Sequence, residues 1–164
     1  RRPSDPAAVV AAPRPLTSVE QRWFIGAHAN VGGGCQSDLL AQLPLRWMAN
    51  KAELHGLAYR AEIEIDGDVI SSPISDSYSE FMHGAYSKFS SRYHRAIGEA
   101  PIVRNDGTHI NVNETIDASV FERWRKASSY RPPGLQVWAE QKKVDPAAIL
   151  AAVRADSPEV AVAD

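Results

Sequence analysis

The residues best suited to chemistry are those at positions 28–34, HANVGGG, which directly follow a short apolar run. The imidazole of His28 titrates near neutral pH and therefore suits general acid and base catalysis. In open α/β sheets, reactive groups lie on loops beyond the carboxyl ends of strands, and successive glycines let the backbone approach another segment closely. A histidine beside glycines is nevertheless more often a hydrogen-bonded loop residue than a catalyst. The local pattern leaves both interpretations open.

Other reactive patterns are weaker. The glycines at 32–34 do not form a phosphate-binding P-loop, because no Lys-Ser or Lys-Thr follows them. Cys35 lies soon after His28, and without an orienting acid it is interpreted as a small packing residue rather than a nucleophile. Arg131 suits either a lipid phosphate or a structural pairing, of which the second is favoured. The sequence predicts no metal and no cofactor, because the remaining histidines lack ligand spacing: His55, His83, His94 and His109.

Composition limits the size of the core and excludes several classes of protein. The chain has 164 residues, of which 44% are hydrophobic, enough to bury one ordinary core. A formal net charge of -2 without a basic stripe argues against nucleic acid as a partner. The single cysteine excludes an internal disulfide and a site with several thiolate ligands. No apolar run reaches membrane-spanning length.

The elements that must position His28 can be traced along residues 19–144, after a Pro- and Ala-rich linker at 1–18. The run at 21–27 predicts a buried strand that ends at the glycine-rich loop. A helix is predicted from Pro44 to His55, apolar on two sides and therefore sandwiched between layers. Its two faces carry Leu45, Met48, Ala49 and Ala52 on one side, and Trp47 and Leu54 on the other.

Further elements are predicted downstream. Alternation over residues 59–70 around a central Asp-Gly predicts a hairpin. A capping box at 77–80 begins a long helix with an aromatic stripe, which fits core packing better than a lipid-facing surface. A second box at 119–122 begins a short helix, and residues 130–135 form an extended or turn path. Residues 145–164 form an Ala-rich terminal helix or tail, helical to about Ala155 and then frayed.

Several blocks in order resemble one family. Residues 23–34 (WFIGAHANVGGG) are similar to a "WFPGvHsDVGGG" signature, and they are followed by Leu-Arg-Trp-Met at 45–48 and Asp-Ser-Tyr at 76–78. The sequence NETI at 113–116, the Ser-Val pair at 119–120 and YRPP at 130–133 complete the likeness. On these blocks the chain resembles the uncharacterised α/β-hydrolase domain family that includes the type VI secretion phospholipase effectors. Departures are Asn30, where the family usually has Asp, and Cys35, where an aromatic is common.

The resemblance implies an α/β fold, here the carboxy-terminal portion of an α/β-hydrolase with its last strands and packing helices. It also implies a Ser-Asp-His triad in that chain order, with His28 as the histidine and the serine in a G-x-S-x-G elbow. No G-x-S-x-G occurs in this sequence, and only Asp5 and Glu20 are acids that precede His28. We therefore expect the serine and the acid to lie outside the chain. The alternatives are a pseudoenzyme, a degenerate binding module and an adaptor.

Partners follow from the same resemblance. They are the amino-terminal portion of the same hydrolase and an ester or phospholipid substrate. For an effector, an immunity protein is a further candidate partner. The resemblance is also compatible with delivery from the producing cell to the periplasm of a target cell.

Overall fold

A computed structural model describes residues 15–34, 39–65, 67–75, 94–98, 102–104, 107–109 and 113–162. Most of the predicted linker at 1–18, Cys35 and the helix predicted from the capping box at 77–80 lie outside these residues.

The sheet that supports the site has three strands. They are β1 (Gln21–Trp23), β4 (Glu114–Ile116) and β5 (Val153–Arg154), in the order β1-β4-β5. β1 and β4 are parallel, with Arg22 opposite Thr115, and β5 is antiparallel to β4. A separate antiparallel pair joins β2 (Ile102–Arg104) and β3 (Gly107–His109). A small mixed sheet with helices agrees with the predicted α/β class.

The strand predicted at 21–27 is confirmed in its first part, since β1 ends at Trp23. The glycine-rich segment differs from the predicted loop, because its first residues form the short helix α1 (His28–Gly32). Gly33 caps the carboxyl end of α1 and adopts a φ of 81°, which favours glycine. The glycines therefore end a helix instead of forming a continuous loop.

The helix predicted from Pro44 to His55 is present as α2 (Gln42–Leu54), entered through a 3-10 turn at Leu39–Ala41. The prediction that both faces are covered is wrong for the described residues, because Leu45 and Met48 are 54% and 57% exposed. The packed side carries Trp47, whose ring meets Phe24 edge-on at 5.7 Å. Neither predicted face is buried as a unit, since Ala49 on the first face is buried and Leu54 on the second is 75% exposed. Helical spacing alone does not decide which of these positions is covered.

The hairpin predicted at 59–70 is also wrong, since the described part of this segment contains no strand. It has a 3-10 turn at Val69–Ser71, and the carboxylate of Asp68 accepts a hydrogen bond from the backbone N–H of Ser71 at 3.2 Å. Alternation without a partner strand does not make a strand, because the ladder bonds that stabilise one are missing.

The short helix predicted from residue 119 is confirmed as α3 (Ala118–Lys126). The capping box predicted at 119–122 is wrong, because the N-cap is Asp117, whose Oδ1 accepts from the backbone N–H and the hydroxyl of Ser119. The extended or turn path predicted for 130–135 is wrong from residue 133, because α4 (Pro133–Lys142) begins there with proline at its first position.

The terminal helix predicted from Pro146 to Ala155 is a single 3-10 turn at Pro146–Ala148, followed by β5. Val153 and Ala155 are buried, so this part of the segment is not a frayed tail. Trp138 of α4 donates from Nε1 to the carbonyl oxygen of Ala155 at 2.8 Å. Burial against α4 and pairing with β4 stabilise an extended chain in place of a helix.

The core lies between the sheet and α3 and α4. Phe121 and Trp138 are completely buried, with ring centroids 6.0 Å apart. The same cluster includes Ile25, Leu40, Ile116, Val120, Leu135 and Val153. None of the helices in the described part of the chain has the length and apolar character needed to cross a bilayer.

Candidate active site

His28 is the first residue of α1 and lies beyond the carboxyl end of β1, the position predicted for a reactive side chain. It is exposed to solvent. Its imidazole forms no hydrogen bond with another described residue, so within this part of the chain it is accessible to a reacting group.

The turn before His28 is built from Gly26, Ala27 and Asn30. Gly26 has a φ of 103°, which an L side chain rarely adopts. Ala27 is extended and precedes α1, and its backbone N–H donates to Oδ1 of the buried Asn30 at 3.1 Å. Asn30 therefore has a local role in this turn.

A largely apolar cleft of about 570 Å³ opens beside His28. β1 and β4 contribute Trp23 and Ile116 to it, and α3 and α4 contribute Val120 and Leu135. Its walls are completed by residues from other segments: Phe24, Ile74, Ile97, Tyr130 and Pro132. Clefts with apolar walls and few polar groups are typical binding sites for small or acyl ligands.

His94 and Arg95 also line this cleft and were not singled out from the sequence. The guanidinium of Arg95 donates to Oε1 of Glu114 at 3.0 Å and to Oε1 of Gln21 at 3.0 Å, and it lies 4.9 Å from the centroid of the Trp23 ring. No local sequence signal marks this cluster, because its members come from segments far apart in the chain.

Tyr130 and Arg131 both have structural roles. Burial raises the pKa of Tyr130 to about 12 against the opposing effect of the Arg123 guanidinium, so the phenol at the cleft wall is neutral. Nη1 of Arg131 donates to the carbonyl oxygens of Trp124, Ala127 and Tyr130. The structural role favoured for Arg131 is therefore present.

The opposite face of the sheet carries a buried network of charges. Glu20 accepts from Nε of Arg22 at 2.9 Å and from Oγ1 of Thr115 at 2.7 Å, and Lys51 lies 3.1 Å from its other oxygen. Burial by itself raises the pKa of Glu20, but the hydrogen bonds from Thr115, Lys51 and Arg22 together hold it below the usual value.

Arg22 connects this network to the end of β4. Its Nη1 lies 3.4 Å from Oδ2 of Asp117, and its guanidinium lies 5.5 Å from the centroid of the Trp47 ring. Arg22 and Trp23 are neighbours in a strand and point to opposite faces. The carboxylate of Glu20 is therefore bonded to groups on the face opposite the cleft. Asp5, the other acid that precedes His28, lies outside the described residues.

Among the described residues, no three His, Cys, Asp or Glu side chains are grouped so that they can bind a metal ion. His55 follows the last residue of α2 and is exposed, with its backbone N–H bonded to the carbonyl oxygen of Ala52. His83 lies outside the described residues, and His109 is the last residue of β3.

Comparison with known families agrees with the resemblance read from the sequence. Residues 6–51 match the family model described as T6SS, phospholipase effector Tle1-like, catalytic domain. The matched region contains β1, α1 and most of α2, and therefore His28 and the turn that carries it. Over these residues the match agrees with the suspected family of phospholipase effectors. No curated protein and no solved structure matches the chain.

Proposed function

We propose that this chain supplies the general base, His28, to a serine hydrolase that cleaves phospholipid esters. The observation that carries the proposal is an exposed histidine beyond the carboxyl end of β1, at the edge of an apolar cleft, inside the region that matches phospholipase effector catalytic domains.

The reaction assigned to His28 begins with removal of the proton from a serine hydroxyl as that oxygen attacks the ester carbonyl. The imidazolium then returns the proton to the leaving alcohol, which leaves an acyl-enzyme that water hydrolyses. A histidine suits both steps because its neutral and protonated forms are both accessible near neutral pH. The exposure of His28 supports this role, since the serine must approach its ring.

The serine and the acid of the triad are assigned to residues outside this chain. The 164 residues contain no G-x-S-x-G elbow, and Glu20 is bonded in the network on the opposite face of the sheet. The cleft beside His28 is assigned to the acyl chain of the substrate, because its walls are largely apolar.

The test is His28→Ala in the complete protein, with phospholipid vesicles and a short-chain ester as substrates. Turnover should fall by several powers of ten, because loss of a triad member leaves only about 10³–10⁴-fold catalysis over water. His55→Ala is the matched control, since His55 is an exposed histidine at the end of α2. The control should retain wild-type turnover.

Near wild-type turnover in His28→Ala would remove this residue from the mechanism. Hydrolysis of the short-chain ester without hydrolysis of phospholipid would retain the histidine and reject the lipid substrate.

A further inference from the structure

The backbone of the residue before His28 is held by Asn30. Oδ1 of Asn30 accepts a hydrogen bond from the N–H of Ala27 at 3.1 Å. The carbonyl oxygen of Ala27 accepts from the backbone N–H groups of Asn30 at 2.9 Å and Val31 at 3.1 Å. Both backbone polar groups of Ala27 are therefore satisfied within this turn, and the N–H depends on one side chain.

The side chain of Asn30 is also confined by its surroundings. It is only 2% exposed, and it occupies the space beside Gly26. A Cβ atom added to Gly26 would lie 2.6 Å from Cβ of Asn30, so this close approach requires glycine. The side chain of Asn30 therefore packs directly against the backbone that leads to His28.

α1 by itself is too short to fix the direction of His28. It has five residues, and the cost of nucleating a helix is not repaid over so short a length. The contacts of Asn30 with Ala27 and Gly26 therefore act as local restraints on the first residue of the helix.

We propose that Asn30 is a positioning residue for His28, which acts by fixing the turn from which the imidazole extends. The inference rests on the proposed role of His28 as the general base. Because Asn30 is buried and does not line the cleft, its loss should lower kcat and leave KM nearly unchanged. Small displacements of a catalytic group are costly, about 10²-fold for about 1 Å.

Stability and positioning can be separated at this site. Nδ2 of Asn30 is buried and has no hydrogen-bond partner among the described residues, which is an unfavourable state. Leucine has the same number and branching of side-chain heavy atoms and removes this unpaired group, but it leaves the N–H of Ala27 without its acceptor. Removal of the unpaired Nδ2 favours stability, and loss of the acceptor for Ala27 disfavours it. The hydrogen bond that holds the turn is absent in this variant.

The experiment compares Asn30→Leu and Asn30→Asp in the complete protein, with Asn50→Leu on the exposed surface of α2 as the control. Asn30→Leu should lower kcat by about 10–100-fold, as for a misplaced catalytic group, with KM within about threefold and a similar melting temperature. Asn30→Asp keeps an oxygen acceptor and should retain kcat within about tenfold, which corresponds to about 1.4 kcal/mol of barrier. Asn50→Leu should match the wild type.

A folded Asn30→Leu enzyme with wild-type kcat would overturn the inference, and so would an equal loss in Asn30→Asp. If leucine prevents folding, Asn30→Ala removes the same acceptor, and its kcat is judged by the same criterion. His28→Ala is measured in parallel. Wild-type activity in that variant rejects the proposed function, whereas an inactive His28→Ala with a fully active Asn30→Leu rejects only the positioning role.

Discussion

At the scale of single residues, the two faces of β1 have different chemistry. Trp23 faces the apolar cleft near His28, whereas Arg22 enters the buried network with Glu20 and Asp117. Buried ion pairs do not necessarily add net stability, but removal of one partner is costly because the remaining charge stays buried. The network therefore restrains the relative position of β1 and α2, from which Lys51 approaches Glu20.

This network predicts a dependence of stability on pH. The pKa of Glu20 is lower in the folded protein than its usual value of 4.5. Its contribution to stability should therefore be complete above that value and be lost as the pH falls through the folded pKa. Glu20→Gln should lower the melting temperature at neutral pH, and the difference from wild type should shrink in acid. Thermal unfolding of both proteins from neutral to acidic pH measures this difference in melting temperature.

The control for this prediction is Glu53→Gln, which alters an exposed carboxylate on α2. A difference between Glu20→Gln and wild type that is the same at every pH would show that the carboxylate charge does not contribute.

At the scale of elements, β5 and the segment around it complete the core. Ala152, Val153 and Ala155 are buried, and the carbonyl oxygen of Ala155 accepts the hydrogen bond from Trp138. The backbone N–H of Ala155 donates to the carbonyl oxygen of Glu114 at 2.8 Å. This segment therefore joins the end of the sheet to α4.

We expect deletion of residues 145–164 to lower the melting temperature strongly or to abolish cooperative unfolding. The deletion exposes Trp138 and removes a strand from a three-stranded sheet. Leu150→Ala is the control, because Leu150 is 77% exposed, and substitutions at such surface positions usually change stability by less than about 0.5 kcal/mol. An unchanged, cooperative transition after the deletion would show that this segment is dispensable.

At the scale of the whole molecule, the apolar cleft and the exposed stripe of α2 present apolar surface to solvent. Leu45 and Met48 lie on this stripe, and β1 lies at one edge of the described sheet. Exposed apolar surface and sheet edges both favour association. In the proposed enzyme, the amino-terminal portion covers part of this surface.

We therefore expect the chain alone to self-associate or to lack fixed tertiary packing, and not to react with a fluorophosphonate probe. Addition of the amino-terminal portion in trans should restore a well-packed particle and ester hydrolysis that depends on His28. Light scattering, near-ultraviolet circular dichroism and ester turnover measure these properties. A monomeric, cooperatively folded chain that is indifferent to the amino-terminal portion would instead support a binding module or an adaptor.

The sequence by itself was sufficient for the features that depend on neighbouring residues. The apolar run before residues 28–34 predicted β1 and the position of His28 beyond it. Local patterns also predicted the presence of α2 and α3, although not their first residues. The ordered blocks also identified the family that residues 6–51 match. These signals are local, or they are linear patterns that do not require a folded chain.

Tertiary structure decided the features that depend on distant partners. On α2, Trp47 packs against Phe24 whereas Leu45 and Met48 are exposed. Residues 153–154 are extended because they pair with β4. The cluster of Arg95 with Glu114 and Gln21 joins segments that are adjacent only after folding. Periodicity and propensity report what a segment can form, whereas burial and pairing with remote segments select which of those conformations is stable.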